Sequence, residues 1–164
     1  MQAKDAIKNA LASSLDTLNM FLCDLSDVDI TVRPVPGANH IAWQLAHLVV
    51  AESFLLGDQL PGVQYPEVPK AIADLGNERT GKADPPGGYL AKSNYVDFLG
   101  KMRAATIIAV EKLTDKDFDK ATTNVMAKHA PTLGSLLILT ANHTLMHGGQ
   151  FTVVRRALNK PVVF

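Results

Sequence analysis

The chain has 164 residues, 47% apolar and 20% charged, an ordinary balance for one globular domain with a proper core. Sixteen basic and sixteen acidic side chains cancel, and no Lys/Arg run stands out, which argues against a nucleic-acid partner. The one cysteine, Cys23, excludes an internal disulfide and a cysteine-based zinc site, and it reads as a small core residue in a reducing compartment. The N-terminal stretch lacks an apolar signal core and a cleavage site. The longest apolar runs are interrupted by His, Gln, Glu or Asn, so a cytoplasmic protein without membrane contact is expected.

In chain order, residues 2–24 predict a first helix, with Ile7, Leu11, Leu15, Leu18, Leu22 and Leu25 at three- or four-residue steps. The turn-rich SDVDITVRPVPGAN, with Pro34 and Pro36, stops it. A second helix is expected over 39–57, with Asn39 as N-cap and Gly57 as its stop. One face carries His40, Trp43, His47, Val50 and Phe54, and the other Ile41, Leu45, Leu48, Val49 and Leu56. A helix apolar on most sides is buried on most sides, which in a chain this small points to contact with a second subunit.

Residues 58–90, rich in proline and glycine, form a long connection in which YPEVPKAIADLGNERTG allows a short helix. Short loops force neighbouring helices antiparallel, whereas a crossover of this length lets the second and third helices run parallel. The third helix is expected over 91–114, capped by Ser93, with Val96, Leu99, Met102, Thr106, Val110 and Leu113 inward. A polar connection, TDKDFDKATTNVMAKHAP, leads to a fourth helix over 132–158. Asn159 then suits a left-handed stop, with Pro161 close behind. No hairpin signal or repeat intervenes, and the elements describe an all-α, single-domain four-helix bundle over 1–164.

Imidazoles in the most apolar segments must have partners, because unpaired buried polar groups are costly. His143 and His147 stand four apart, about 40° from each other around the fourth helix and on its inward face. His47 from the second helix would complete three nitrogen ligands with open positions, the layout of a catalytic metal site. The intervening sequence HTLMH lacks the glutamate of the zinc-protease H-E-x-x-H motif.

Around these histidines, Gln150 is a candidate to orient a bound water or hold a ligand histidine, or else makes an inter-helix hydrogen bond. Trp43 either packs in the core or walls a substrate pocket. His40, about 10 Å along the axis from His47, is too far for the same metal; it lines the pocket mouth or is an ordinary first-turn residue. Glu52, about 140° round from His47, is not taken as ligand or base. His129 is expected exposed. Arg155 and Arg156 favour the helix dipole.

HIAWQLAHLVVAE, preceded by RPVPG and followed almost a hundred residues later by HTLMHGGQFTVVRRALNKP, resembles the DinB/YfiT-like superfamily of metalloenzymes over most of the chain. The family's histidine in the second helix, and its H-x-x-x-H followed by Gln in the last, correspond to His47, His143, His147 and Gln150. Gly148 stands where the family often has Arg, and Asn159 where Gly is common. The resemblance implies an up-down-down-up four-helix bundle, often a homodimer, with a divalent metal such as Ni or Zn on the three histidines. Relatives include bacillithiol- or mycothiol-dependent S-transferases and a mycothiol-dependent maleylpyruvate isomerase. Such chemistry would take a small-molecule substrate and a low-molecular-weight thiol, entering along the rim formed by residues 58–90. The alternatives are a metal-dependent hydrolase or a non-catalytic metal-binding or stress-response protein.

Overall fold

Four long helices carry the core in the computed structural model, which describes residues 2–77, 84, 85 and 88–163: α1 (Ala3–Leu22), α2 (Ile41–Leu56), α4 (Lys92–Glu111) and α6 (Leu133–Ala157). Between them lie a short 3₁₀ turn at Asp29–Thr31, α3 (Lys70–Asn77) in the crossover, and the single-turn α5 (Asp115–Phe118). The last four residues of YPEVPKAIADLGNERTG, and Pro86, lie outside the described residues.

Two apolar clusters set the helix directions. One collects the end of α1 (Leu18, Leu22), the start of α2 (Ile41, Trp43, Leu45), the start of α4 (Tyr95, Leu99) and the end of α6 (Phe151, Val154). The other collects the start of α1 (Ile7, Leu11), the end of α2 (Leu55, Leu56), the end of α4 (Ala109, Val110) and the start of α6 (Leu133, Leu136, Leu137). The bundle therefore runs up-down-down-up, and the long connection between α2 and α4 makes that parallel pair possible.

The breadth of burial around α2 is met within the chain. Its inner sides face α4 and α6, and α3 packs on a further side, so Ile41, Leu45, Ala46 and Val49 are all fully buried. The expectation of a second subunit against α2 thus loses its physical basis. Gly76 of α3 explains how close that packing is: a Cβ there would lie 2.4 Å from the Ala46 carbonyl oxygen, so only glycine lets the two backbones touch.

Helix ends depart from expectation in detail. His40, not Asn39, caps α2, its Nδ1 accepting from the Trp43 N–H at 2.9 Å. Ser93 is not a cap; α4 starts one residue earlier, where Asp27 accepts from the Lys92 N–H at 2.7 Å. Cys23 is exposed rather than part of the core, because it falls just past the last turn of α1. Asn159 does adopt the left-handed conformation (φ 54°), and the Lys160 N–H closes onto the Arg155 carbonyl at 2.9 Å. Arg155 does more than offset the helix dipole: its guanidinium is buried against Asp24 and donates to the Phe21 and Pro161 carbonyls, tying the ends of α1 and α6 together.

At mid-height a buried ion pair joins all four long helices. Arg103 of α4 donates from Nε to Glu52 Oε1 of α2 at 2.8 Å and from a terminal nitrogen to Oε2 at 3.0 Å. Its remaining donors reach Ser14 Oγ (3.0 Å) and the Leu11 carbonyl of α1, and Thr144 Oγ1 of α6 (2.9 Å). Thr106 donates to Glu52 at 2.7 Å, and Tyr65 of the crossover meets Thr106 at 2.8 Å. Removing one partner strands a buried charge, so Arg103→Met should cost about 3–5 kcal/mol. The double variant Glu52→Leu/Arg103→Met should recover much of that loss; denaturant titration of the two variants beside the wild type measures both effects.

Candidate metal centre

α2 and α6 face each other just above this ion pair, and their contact brings His47, His143 and His147 together. One nitrogen from each ring lies within 4.8 Å of the others, and the ring centroids are 4.8–5.3 Å apart. His147 Nε2 and His143 Nε2 stand 3.2 Å apart. Two nitrogens bound tetrahedrally at about 2.0–2.1 Å from one ion are separated by about 3.3–3.4 Å, so this pair is already spaced as two ligands of one cation.

Each ring is oriented by a neighbour. His147 Nδ1 lies 2.8 Å from Gln44 Oε1, while the Gln44 amide nitrogen donates to the Asn39 carbonyl at 3.2 Å. That second bond fixes which way the amide points. Its oxygen must accept from His147 Nδ1–H, which leaves the Nε2 lone pair free to bind. His47 is hydrogen-bonded to the Gly76 backbone and stacks on Trp43, with ring centroids 4.9 Å apart and planes within 6° of parallel. The close approach of Gly76 to α2 is therefore also what brings α3 within reach of His47.

Burial keeps the imidazoles neutral. It pushes His147 down to about 3, with His143 and then His47 adding to the effect, and His143 down to about 4, with His47 adding. His47 is also lowered by burial, against the opposing hydrogen bond to Gly76. Neutral imidazoles are the form a metal needs.

Two hollows open beside the rings. One, of about 290 Å³, is lined by His47, Ala51, Phe54, Leu55, Met126, Leu139, His143 and Met146; the other, of about 250 Å³, by Trp43, His47, Val50, Ala51, Phe54, Gly76 and Asn77. Phe54, 65% exposed, borders both. Among the described residues the crossover thus edges only the second hollow. The first is bordered by the connection before α6, where Asn124 donates to the Leu55 carbonyl (3.0 Å) and Gln59 accepts from the Thr123 N–H (2.8 Å), placing Met126 over the end of α2. Among the described residues no carboxylate lines either hollow, since Glu52, beside Ala51 in sequence, points to Arg103.

The other expected site residues fall variously. Trp43 packs in the core and also lines the second hollow. Gln150 is exposed, two turns beyond His143, and the amide that orients His147 is that of Gln44. A glutamine one turn before His47 in so apolar a helix was the available signal: a buried amide needs partners as much as a buried imidazole does. His40 is fully buried at the α2 cap, with Nε2 2.8 Å from the Tyr89 hydroxyl, and lines neither hollow. His129 is exposed as expected. Gly148 packs against α1: a Cβ there would sit 3.6 Å from the Phe21 ring, away from both hollows.

The chain is an all-helical bundle with three convergent imidazoles, a set that could hold a metal ion, between its second and last long helices. Residues 10–151 match the DinB superfamily, and the chain belongs to it. Among solved structures it is similar to a conserved protein from Enterococcus faecalis (TM-score 0.70, 14% identity, covering 98% of this chain and 99% of that one). It is also similar to YfiT from Bacillus subtilis, described as "a probable metal-dependent hydrolase with an unusual four-helix bundle topology" (TM-score 0.68, 17% identity, covering 96% and 89%). No curated protein matches.

Gln44→Leu should keep the fold but weaken metal binding about 10–100-fold, as read by competition with a chromophoric chelator. The metal-free protein should also lose stability in acid. The three histidines ionise near 6.5 when unfolded and lower when folded, so below about pH 6.5 the unfolded chain binds more protons. Its melting temperature should hold between pH 7 and 8 and fall steadily from pH 6.5 to 4. His147→Leu should flatten that slope.

Proposed function

We propose that this chain is a metal-dependent enzyme in which His47, His143 and His147 hold one divalent cation, Ni or Zn, for S-transfer from a low-molecular-weight thiol to a small molecule. The observation that carries the reading is three neutral imidazoles within 4.8 Å of one another, facing hollows that no carboxylate lines among the described residues. A bound cation there would supply Lewis acidity, holding a thiol sulfur as thiolate or lowering the pKa of water.

The residues of the chain have separate tasks. Gln44 holds His147 with its Nε2 lone pair inward, Gly76 and Trp43 hold the His47 ring, and the hollows on either side of Phe54 give two approaches to the centre. Hydrolysis profits from a protein base to take a proton from water, and Glu52, next in sequence to Ala51 of both hollows, is occupied by Arg103. A low-molecular-weight thiol is far more acidic than water and would release its proton to solvent without such a base, which favours transfer over hydrolysis. A homodimer enters this proposal on the family resemblance alone, and a cytoplasmic location fits a reduced thiol cosubstrate.

Protein purified without a histidine tag should carry about one divalent ion per chain by elemental analysis, and His143→Ala should lose most of it while keeping its helical circular dichroism. In a screen of small electrophiles, product should form only with added thiol and should vanish after metal stripping. Turnover of esters or amides in water alone would move the assignment to a hydrolase. Absence of stoichiometric metal would leave a non-catalytic bundle.

A further inference from the structure

We propose that the hollow of about 290 Å³ beside His47 and His143 is an acceptor pocket for an uncharged, apolar group about the size of one aromatic ring with a short chain. This deepens the enzyme reading by naming the substrate class, and rests on that reading for its use in turnover. Six of its eight lining residues are Ala51, Phe54, Leu55, Met126, Leu139 and Met146, and the other two are the histidines themselves. Its size lies near the lower end of ligand pockets, roughly 300–1,000 Å³, which sets the scale of the occupant.

In the metal-free protein a charged ligand entering here would give up hydration with no counter-charge in the walls among the described residues, because the glutamate next to Ala51 is only 2% exposed and paired with Arg103. An apolar one gains on two counts. It leaves water, and it covers Phe54 (65% exposed) and Met146 (60% exposed), large apolar side chains that border the hollow. Met126 and Met146 supply unbranched, adaptable walls, so ligands of differing outline should fit. The position of the hollow explains why its contents matter. His47 and His143 form part of its wall, so a group seated there lies against two of the three rings that would hold the metal.

The test uses the full chain after chelator treatment and three probes with one apolar body: 4-phenylbutanol, 4-phenylbutyrate and 4-phenylbutylamine, titrated by saturation-transfer NMR. The alcohol should bind at least tenfold more tightly than either ion. Ala51→Phe, which fills the hollow, should weaken the alcohol at least tenfold. Met146→Lys changes an exposed position and should fold normally by circular dichroism; it should strengthen 4-phenylbutyrate at least threefold and weaken the amine. Equal binding of the three probes, no binding, or binding unmoved by both variants overturns the assignment. Because the metal is absent throughout, the two readings fail separately. A chain that takes up metal but not the alcohol loses the pocket alone, and one that binds the alcohol but carries no metal keeps the pocket and loses the enzyme.

Discussion

The structure depends on the pairing of Glu52 with Arg103. Neither charge would survive in the centre of a bundle alone, and the guanidinium is satisfied only because donors and acceptors arrive from every long helix: Glu52 from α2, Ser14 and the Leu11 carbonyl from α1, and Thr144 from α6. Such a hub is geometrically demanding. It fixes the rotation and axial position of each helix to within hydrogen-bond tolerance, which packed leucines alone do less sharply. Thr144 lies one residue from His143, and Glu52 lies five residues from His47, so the same hub sets how the imidazoles of α2 and α6 meet.

Above the hub, the bundle solves a second problem: how to hold three imidazoles close together in a largely apolar setting. Burial opposes their protonation, and their mutual proximity opposes it further. The neutral rings are then oriented by a small number of contacts, Gln44 on His147 and both Gly76 and Trp43 on His47. These contacts draw on α3 as well as on the long helices, which gives the crossover a structural purpose. It connects a parallel pair, covers the outer side of α2, and reaches His47 through a glycine that tolerates backbone contact at Ala46. Sequestration of Glu52 leaves the hollows beside the histidines without a carboxylate among the described residues, so the described surroundings of the centre are largely apolar on both sides.

Much of this was legible in the sequence because the signals were periodic. The inward stripes of α1 and α4, the all-round burial of α2, and the inward pair His143 and His147 follow from 3.6-residue spacing, and the left-handed stop at Asn159 from local chemistry. The features that escaped share a different character. Arg103 sits on an otherwise apolar stripe, where a charge reads as an exception until its partner is known. Gln150 has the right angular position on α6 but lies two turns along the axis from His143 and is exposed, whereas Gln44, which meets His147, stands on another helix where no spacing relates the two. The breadth of burial around α2 points, from sequence, to a second subunit as well as the core, because the short α3 that covers it carries too few residues to announce itself by periodicity.

By itself the sequence determined the four long helices and their approximate limits, the inward faces, and the three imidazoles as one candidate set, because these depend on chemistry repeated along a single element or on a shared family pattern. Tertiary structure alone decided which polar group answers which. It paired Glu52 with Arg103 across 51 residues and His147 with Gln44 across 103, placed Gly76 against Ala46, and brought Met126 over the end of α2. Such partnerships depend on the relative rotation and height of different helices. No periodicity within one helix encodes those quantities, and they are settled only when the whole bundle satisfies its buried charges at once.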